Sequence, residues 1–380
     1  MSDLFLGIMS GTSLDGIDVA IACFDPPKLQ LRAFYSTPWH AYLRRRLMEL
    51  ATAHRVEMDA LVQTHFILAE TYARAVEAAL EQAHLSASDI RAIGLHGQTV
   101  RHLPRLNDHA EPSHPGTLQL GSGAALAALT GIDVVSDFRS ADMALGGQGA
   151  PLVPMFDYPF LRSDTTDRLL VNIGGIANVT WLPRGAREED IVAFDCGPGN
   201  MLMDSVARRY FNADFDKDGI HAEHGKINEE LVSALLSNPY FDQPPPKSTG
   251  RELFSDAMLK RIHGNIAGKH INAWDALSTL TEVTARAIAR SLEWVGAKAS
   301  PVEIIVSGGG AFNTYLLERI AANAPNASVV TSDTYGIPPQ AKEAIAFAFF
   351  AKAFIENIPI HLPKTTGAKR KVILGSLSRG

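Results

Sequence analysis

Four short stretches combine glycine, hydroxyl and amide residues as anion-handling chemistry requires. They are "SGTSLDG" (Ser10–Gly16), "NIGGIAN" (Asn172–Asn178), "DCGPGN" (Asp195–Asn200) and "SGGGAFN" (Ser307–Asn313). Small residues let backbone N–H groups converge on a phosphate or carboxylate, and hydroxyls add donors. The first stretch lies in "GIMSGTSLDGIDVA" (Gly7–Ala20), where a two-residue turn would join the flanking apolar runs more simply. That stretch alone reads equally as an irregular hairpin. Asp195 follows an apolar run and precedes a Gly-Pro-Gly turn, a setting that aims a carboxylate into a cleft for acid–base work. The alternative for Asp195 is an N-cap of the helix expected from Met201, a role Asn200 is better placed to fill. Arg139, flanked by Asp137 and Asp142, suits either a structural ion pair or ligand binding. Glu343 opens an apolar helix, where a carboxylate also favours the helix dipole. His96, Gln98 and Thr99 follow a short apolar run, in a loop that either binds ligand or stabilises its own turn.

The elements that must position these residues repeat in type. Leu4–Met9, Ile17–Cys23 and Leu29–Phe34 read as strands, followed by helices over Ala41–Ala53 and Met58–Ala83. A short strand at Ile93–Leu95, a helix at Gly123–Leu129 and a strand at Ile132–Phe138 complete the first half. Strands at Arg168–Ile173, Val179–Leu182 and Ile191–Phe194 then precede a helix at Met201–Tyr210. A strand at Ile304–Ser307, a helix at Ala311–Ala322, a strand at Ser328–Thr331 and a helix at Ala341–Phe354 follow. This order suggests a duplicated α/β unit with a boundary near Gly146–Pro154, giving domains of residues 1–150 and 151–380. Two insertions interrupt the second half: Asp214–Asn238, charged and helical toward its end, and the proline-rich Asn238–Leu253. Three consecutive prolines stiffen the latter, which serves as a rigid connector or as a wall of a cleft.

Composition narrows the partners. A chain of 380 residues with 46% hydrophobic and 20% charged content is globular and long enough for two cores. A net charge of −6 disfavours nucleic acid and anionic membranes, so neither is expected as a partner. Cys23 and Cys196 sit in or beside apolar runs and read as free thiols in a reducing compartment. No basic residue precedes the first apolar run, which argues against a signal peptide, and Ala344–Ile358 is too short and charged to span a bilayer. A cytoplasmic location is expected. His221 and His224 lack a third ligand nearby and do not make a zinc site, and Lys369–Lys371 is a solvated charge run. Neither a G-x-x-x-x-G-K-[ST] nor a G-x-G-x-x-G fingerprint occurs.

The placement of the four glycine-rich turns resembles the actin, Hsp70 and sugar-kinase superfamily. That resemblance implies a two-lobed, actin-like (ribonuclease H-like) α/β fold, with duplicated mixed-sheet domains and an interlobe cleft. It also implies that Gly11, Thr12, Ser13, Leu14, Asp15, Gly16, Ile17 and Asp18, with Gly174 and Gly175, hold ATP phosphates, and that Gly308, Gly309 and Gly310 pack on the adenosine. Where the superfamily often carries an Asp at the end of its first strand, this chain has Met9. Seven motifs in unchanged order narrow the match: "GIMSGTSLDGIDVA", "GLHGQTVRH", "DFRSADMALGGQGAPLVP", "LVNIGGIANVT", "FDCGPGNMLMD", "PPPKSTGRE" and "GIPPQAKEAIAFA". Together they resemble the anhydro-N-acetylmuramic acid kinase family from about Leu6 to Gly367. The resemblance implies an ATP-dependent kinase with Mg2+ accompanying the nucleotide, no protein-held metal, and a homodimer. Its reaction opens the anhydro ring of 1,6-anhydro-N-acetylmuramic acid with water and phosphorylates O6, a step in peptidoglycan recycling. Asp195 matches the family's catalytic base, and His96, Gln98, Thr99, Arg139 and Glu343 match substrate-binding positions. An ordinary hexosamine kinase and an actin- or Hsp70-like ATPase are the alternatives.

Overall fold

The computed structural model describes residues 3–11, 14–53, 55–104, 114–249, 253–254, 256–297 and 301–380. Thr12 and Ser13, both expected at the nucleotide, lie outside the described residues. The chain forms two compact units, Met1–Leu161 with Ala341–Gly380, and Arg162–Gln340. This differs from the split at residue 150: the second unit starts later, and the last segment of the chain returns to the first.

The strands are β1 (Leu4–Ser10), β2 (Gly16–Asp25), β3 (Lys28–Pro38), β4 (Ile90–Leu103), β5 (Gly116–Leu120) and β6 (Val134–Ser136), then β7 (Asp167–Ile173), β8 (Ile176–Leu182), β9 (Val192–Pro198), β10 (Val302–Ser307), β11 (Ala327–Thr331) and β12 (Ser376–Ser378). In the first unit the sheet order is β12-β6-β4-β1-β2-β3, with β5 on β4; in the second it is β11-β10-β7-β8-β9. Within β6-β4-β1-β2-β3 and β11-β10-β7-β8-β9 the pairings match one for one. An antiparallel three-stranded meander is extended by two parallel strands in each. The duplication expected from element order is therefore present in the topology, and each sheet has the ribonuclease H-like arrangement of the actin-like fold.

The return of the C-terminal segment has a visible cause. The helix Lys342–Ile355 lies so close to β1 and β4 that only glycine fits beneath it. A Cβ at Gly7 would sit 1.9 Å from the Ala344 carbonyl oxygen, and one at Gly94 would sit 1.9 Å from that of Phe347. Around these contacts Ile8, Leu6, Ile93, Phe347 and Ala348 are buried. Because backbone cannot yield as a side-chain tip does, Gly7→Ala is expected to destabilise the protein by about 1–3 kcal/mol or more. A thermal melt checks it; an unchanged melting temperature would show the helix free to move away.

A second anchor holds the end of the chain. Asp142, fully buried, accepts from His361 Nε2 (2.6 Å) and Thr366 Oγ1 (2.5 Å) through Oδ1, and from Gly149 N–H (2.6 Å) through Oδ2. Burial alone would raise its pKa, but these hydrogen bonds together hold it below the usual carboxylate value.

Two elements differ from expectation. β4 continues well beyond Leu95, carrying His96, Gln98 and Thr99 inside the sheet rather than in a loop. Gly97, at φ +75°, and register shifts against β1 and β5 let the strand change partners there. The second unit also contains a long helix, Ala273–Trp294, capped by Asn272 Oδ1 on the Asp275 N–H (2.8 Å), which the strand-led reading of the sequence passes over. Among the described residues no helix is long and apolar enough to cross a membrane. Both cysteines are free.

Candidate functional site

In the first unit, β1 and β2 form the hairpin whose connection carries Gly11, Leu14 and Asp15. Leu14 takes a left-handed φ of 60°, is buried, and donates its N–H to the Gly11 carbonyl (3.2 Å). Gly16 is required at the start of β2, since a Cβ there would lie 2.3 Å from the Thr37 carbonyl oxygen. Gln98 Nε2 donates to the Gly11 carbonyl (3.2 Å), so β4 braces the loop entrance directly. Ile17 is buried, and Asp18 is half-buried on β2. Burial raises the Asp18 carboxyl above its usual pKa against a hydrogen bond with Ser36, and Asp15 adds to the rise.

The same unit brings two of the other expected substrate positions, His96 and Glu343, to Arg139. Its guanidinium donates to the Gly149 carbonyl (2.5 Å) and to His96 Nε2 (2.7 Å). His96 accepts there and is neutral; burial and then the neighbouring Arg139 pull its pKa down to about 3. Burial also lowers Arg139 to about 10, opposed by Glu343 and Asp142. Glu343, in the first turn of the helix Lys342–Ile355, has its pKa raised by burial and by Asp18, against Lys342 and Arg139. A carboxyl placed only to suit the helix dipole has no reason to bear that burial. Among the described residues neither flanking Asp hydrogen-bonds Arg139: Asp137 accepts from Ser140 Oγ (2.6 Å), and Asp142 serves His361, Thr366 and Gly149, reaching Arg139 only through its charge. Gln98 Oε1 and Arg139 Nε are buried without a hydrogen-bond partner among the described residues. Thr99 Oγ1, by contrast, accepts from Gln119 Nε2 (3.1 Å), a contact that supports the β4–β5 ladder.

In the second unit Asp195 sits within β9, not after it. Its neighbours are fixed on both sides. Asp195 donates its N–H to the Lys247 carbonyl (3.1 Å), its carbonyl accepts from Tyr240 Oη (2.6 Å), and its Oδ2 accepts from the Thr249 N–H (2.8 Å). The proline-rich segment thus packs along the carboxylate rather than serving only as a connector. Beyond Asp195, Gly197 leaves room for Phe241 and Ala287, where a Cβ would come within 2.9 and 3.1 Å, and Thr284 Oγ1 donates to the Gly199 carbonyl (3.2 Å). The helix Ala273–Trp294 is therefore the support under this strand end.

The other glycine turns close around the same end. Gly174 and Gly175 join β7 to β8, and their carbonyls accept N–H bonds from Asn200 (2.8 Å) and Gly199 (2.9 Å) at the start of the helix Met201–Tyr210. Asn200 does not cap that helix with its side chain; Nδ2 donates to the Ile173 carbonyl (3.4 Å). Gly308 has φ +78°, and Cβ atoms at Gly308 and Gly310 would run into Asn172 Oδ1 (2.7 Å) and Ile173 Cγ2 (2.4 Å). Gly309 lies between them, so "SGGGAFN" packs on the end of β7. His221 stacks on Phe211 (4.1 Å between centroids) and His224 contacts the Ile220 carbonyl, so both have packing roles. Lys247 and Thr249 were not singled out in the sequence, although they stand in "PPPKSTGRE"; their approach to Asp195 depends on a fold-back that has no local signature.

A model of the family described as anhydro-N-acetylmuramic acid kinase matches residues 3–380. Anhydro-N-acetylmuramic acid kinase of Saccharophagus degradans is 44% identical over 98% of this chain and 98% of its own length. That of Coxiella burnetii is 42% identical over 99% of this chain and 97% of its own. Among solved structures, the ADPNP-bound activator of 2-hydroxyisocaproyl-CoA dehydratase from Clostridium difficile superposes with a TM-score of 0.49 at 12% identity, over 93% of this chain and 96% of that one. The matched order of the two sheets, rather than this likeness, carries the fold. With its sequence matched from end to end, the chain belongs to the anhydro-N-acetylmuramic acid kinase family and is a phosphotransferase.

Proposed function

We propose that this enzyme opens the 1,6-anhydro ring of 1,6-anhydro-N-acetylmuramic acid with water and transfers the γ-phosphoryl group of ATP to O6. The products are N-acetylmuramic acid 6-phosphate and ADP, and the reaction serves peptidoglycan recycling. The observation that carries this reading is the polar cluster of the first unit, where buried His96 meets half-buried Arg139 and Glu343, with buried Gln98 two residues beyond His96 on β4. Gln98 Oε1 and Arg139 Nε have no partner there among the described residues, and buried polar atoms left open in a native fold call for a polar ligand. A hydroxyl-rich amino sugar supplies both donors and acceptors. In this reading Arg139 and His96 hold the sugar, Thr99 orders the strand beside them, and Glu343 contacts a hydroxyl.

Asp195 takes the proton of the attacking water at its carboxylate. In this reading Gly11, Thr12, Ser13, Leu14, Asp15, Gly16, Ile17 and Asp18, together with Gly174 and Gly175, form the site for the nucleotide phosphates. Gly308, Gly309 and Gly310 leave flat backbone for the adenosine. Mg2+ accompanies the nucleotide in this reading. The enzyme works as a homodimer in the cytoplasm.

The test is product mass after incubation with ATP, Mg2+ and the anhydro sugar. A phosphorylated, ring-opened sugar appearing in step with ADP is the expected outcome. Phosphate transfer only to open hexosamines would point to an ordinary hexosamine kinase, and ADP release without sugar phosphate to an ATPase.

A further inference from the structure

Lys247 is the least expected charge in the second unit. Its side chain is buried, and Nζ lies 4.8 Å from the ring centre of Tyr240, 5.4 Å from Trp294 and 5.8 Å from Phe194. Nζ donates to the Tyr240 carbonyl (3.2 Å). The titratable groups facing it are Cys196, whose thiol burial pushes up to about 12, and Arg290 with Asp242, which pair with each other at 2.5 Å. Among the described residues no carboxylate hydrogen-bonds the ammonium, and three ring faces surround it. For packing alone a methionine would fill that space without desolvating a charge.

What Lys247 controls is visible along its own backbone. Its carbonyl accepts from the Asp195 N–H, and two residues later the Thr249 N–H donates to Asp195 Oδ2. Tyr240, one wall of the ring cage, donates its hydroxyl to the Asp195 carbonyl. Both faces of Asp195 are thus held by groups that the ammonium draws together. The Thr249 hydroxyl, buried beside this contact, has no hydrogen-bond partner among the described residues. We infer that Lys247 is a positioning residue: seated in the cage of Phe194, Tyr240 and Trp294, it fixes the segment that presents the Thr249 N–H to the Asp195 carboxylate and so sets its orientation and charge. This rests on the reading of Asp195 as the base.

The experiment compares Lys247→Met, Tyr240→Phe and Asp195→Asn with the parent enzyme. The measurements are thermal melts, the KM for ATP and the pH dependence of kcat. Methionine keeps the bulk in the cage, so Lys247→Met is expected to melt no lower than the parent. Its acid limb moves up by about one pH unit, the effect of weakening one hydrogen bond to an ionised carboxylate. The KM for ATP stays unchanged. Tyr240→Phe keeps the ring and loses the hydroxyl, and its limb moves the same way by less. Acid limbs that stay where the parent's lies in both variants, with Asp195→Asn inactive, would overturn the role of Lys247 and leave the base in place. If Lys247→Met fails to fold, Tyr240→Phe decides. Substantial activity in Asp195→Asn would overturn the base itself.

Discussion

Asp195→Asn is expected to lower turnover by about a hundred- to ten-thousand-fold, the usual contribution of a positioned general base, while ATP binding is unchanged. The geometry makes this substitution clean. The amide oxygen can still accept from the Thr249 N–H, and the backbone contacts to Lys247 and Tyr240 do not involve the side chain. The variant therefore keeps these contacts around β9 and loses the capacity to take a proton from water. Turnover of the anhydro sugar and equilibrium binding of a non-hydrolysable ATP analogue are the two measurements. Activity within tenfold of the parent would remove Asp195 from the chemistry. Loss of nucleotide binding would instead mean that Asp195 acts on the phosphates.

The sequence made the framework around Asp195 legible and the details of its support much less so. The apolar runs of β1, β2, β7, β8 and β10 announce themselves because both faces of those strands are buried, and buried strands read as continuous hydrophobic stretches. The polar residues His96, Gln98 and Thr99 make β4 read as ending at Leu95, yet all three belong to the strand. Their polarity reflects contacts across the sheet: Gln98 reaches back to Gly11, and His96 meets Arg139. The destination of the last helix was equally hidden. Its sequence shows an apolar helix, but the reason it packs on the first unit lies in Gly7 and Gly94, more than two hundred residues earlier. The Lys247 cage draws on Phe194, Tyr240 and Trp294, three positions that only the tertiary fold assembles. Contacts between distant segments carry no local periodicity to read.

Ring opening and phosphorylation are expected to be inseparable, with no detectable cleavage of the anhydro bond in the presence of ADP or without nucleotide. The step balances without a protein acid. In the proposed reaction, water attacks the anomeric carbon and gives a proton to Asp195. The bond from that carbon to O6 breaks, O6 attacks the γ-phosphorus, and the bond to the ADP oxygen breaks. Removing the γ-phosphate leaves the departing O6 as an alkoxide with no acceptor. Run forward in oxygen-18 water, the reaction should place one label on the anomeric carbon and none in the transferred phosphate. Glu343 is the residue on which the competing mechanism depends, because burial and Asp18 raise its pKa and favour its protonated form. If Glu343 donated that proton to O6, the enzyme would act as an acid–base hydrolase first and a kinase second. Unphosphorylated N-acetylmuramic acid would then accumulate when ATP is withheld, and Glu343→Gln would abolish that release. Such accumulation would sink the coupled mechanism and make Glu343 the general acid. In the coupled reaction, Glu343→Gln keeps a hydrogen-bonding side chain of the same size, and the dependence of ring opening on ATP persists at whatever rate remains.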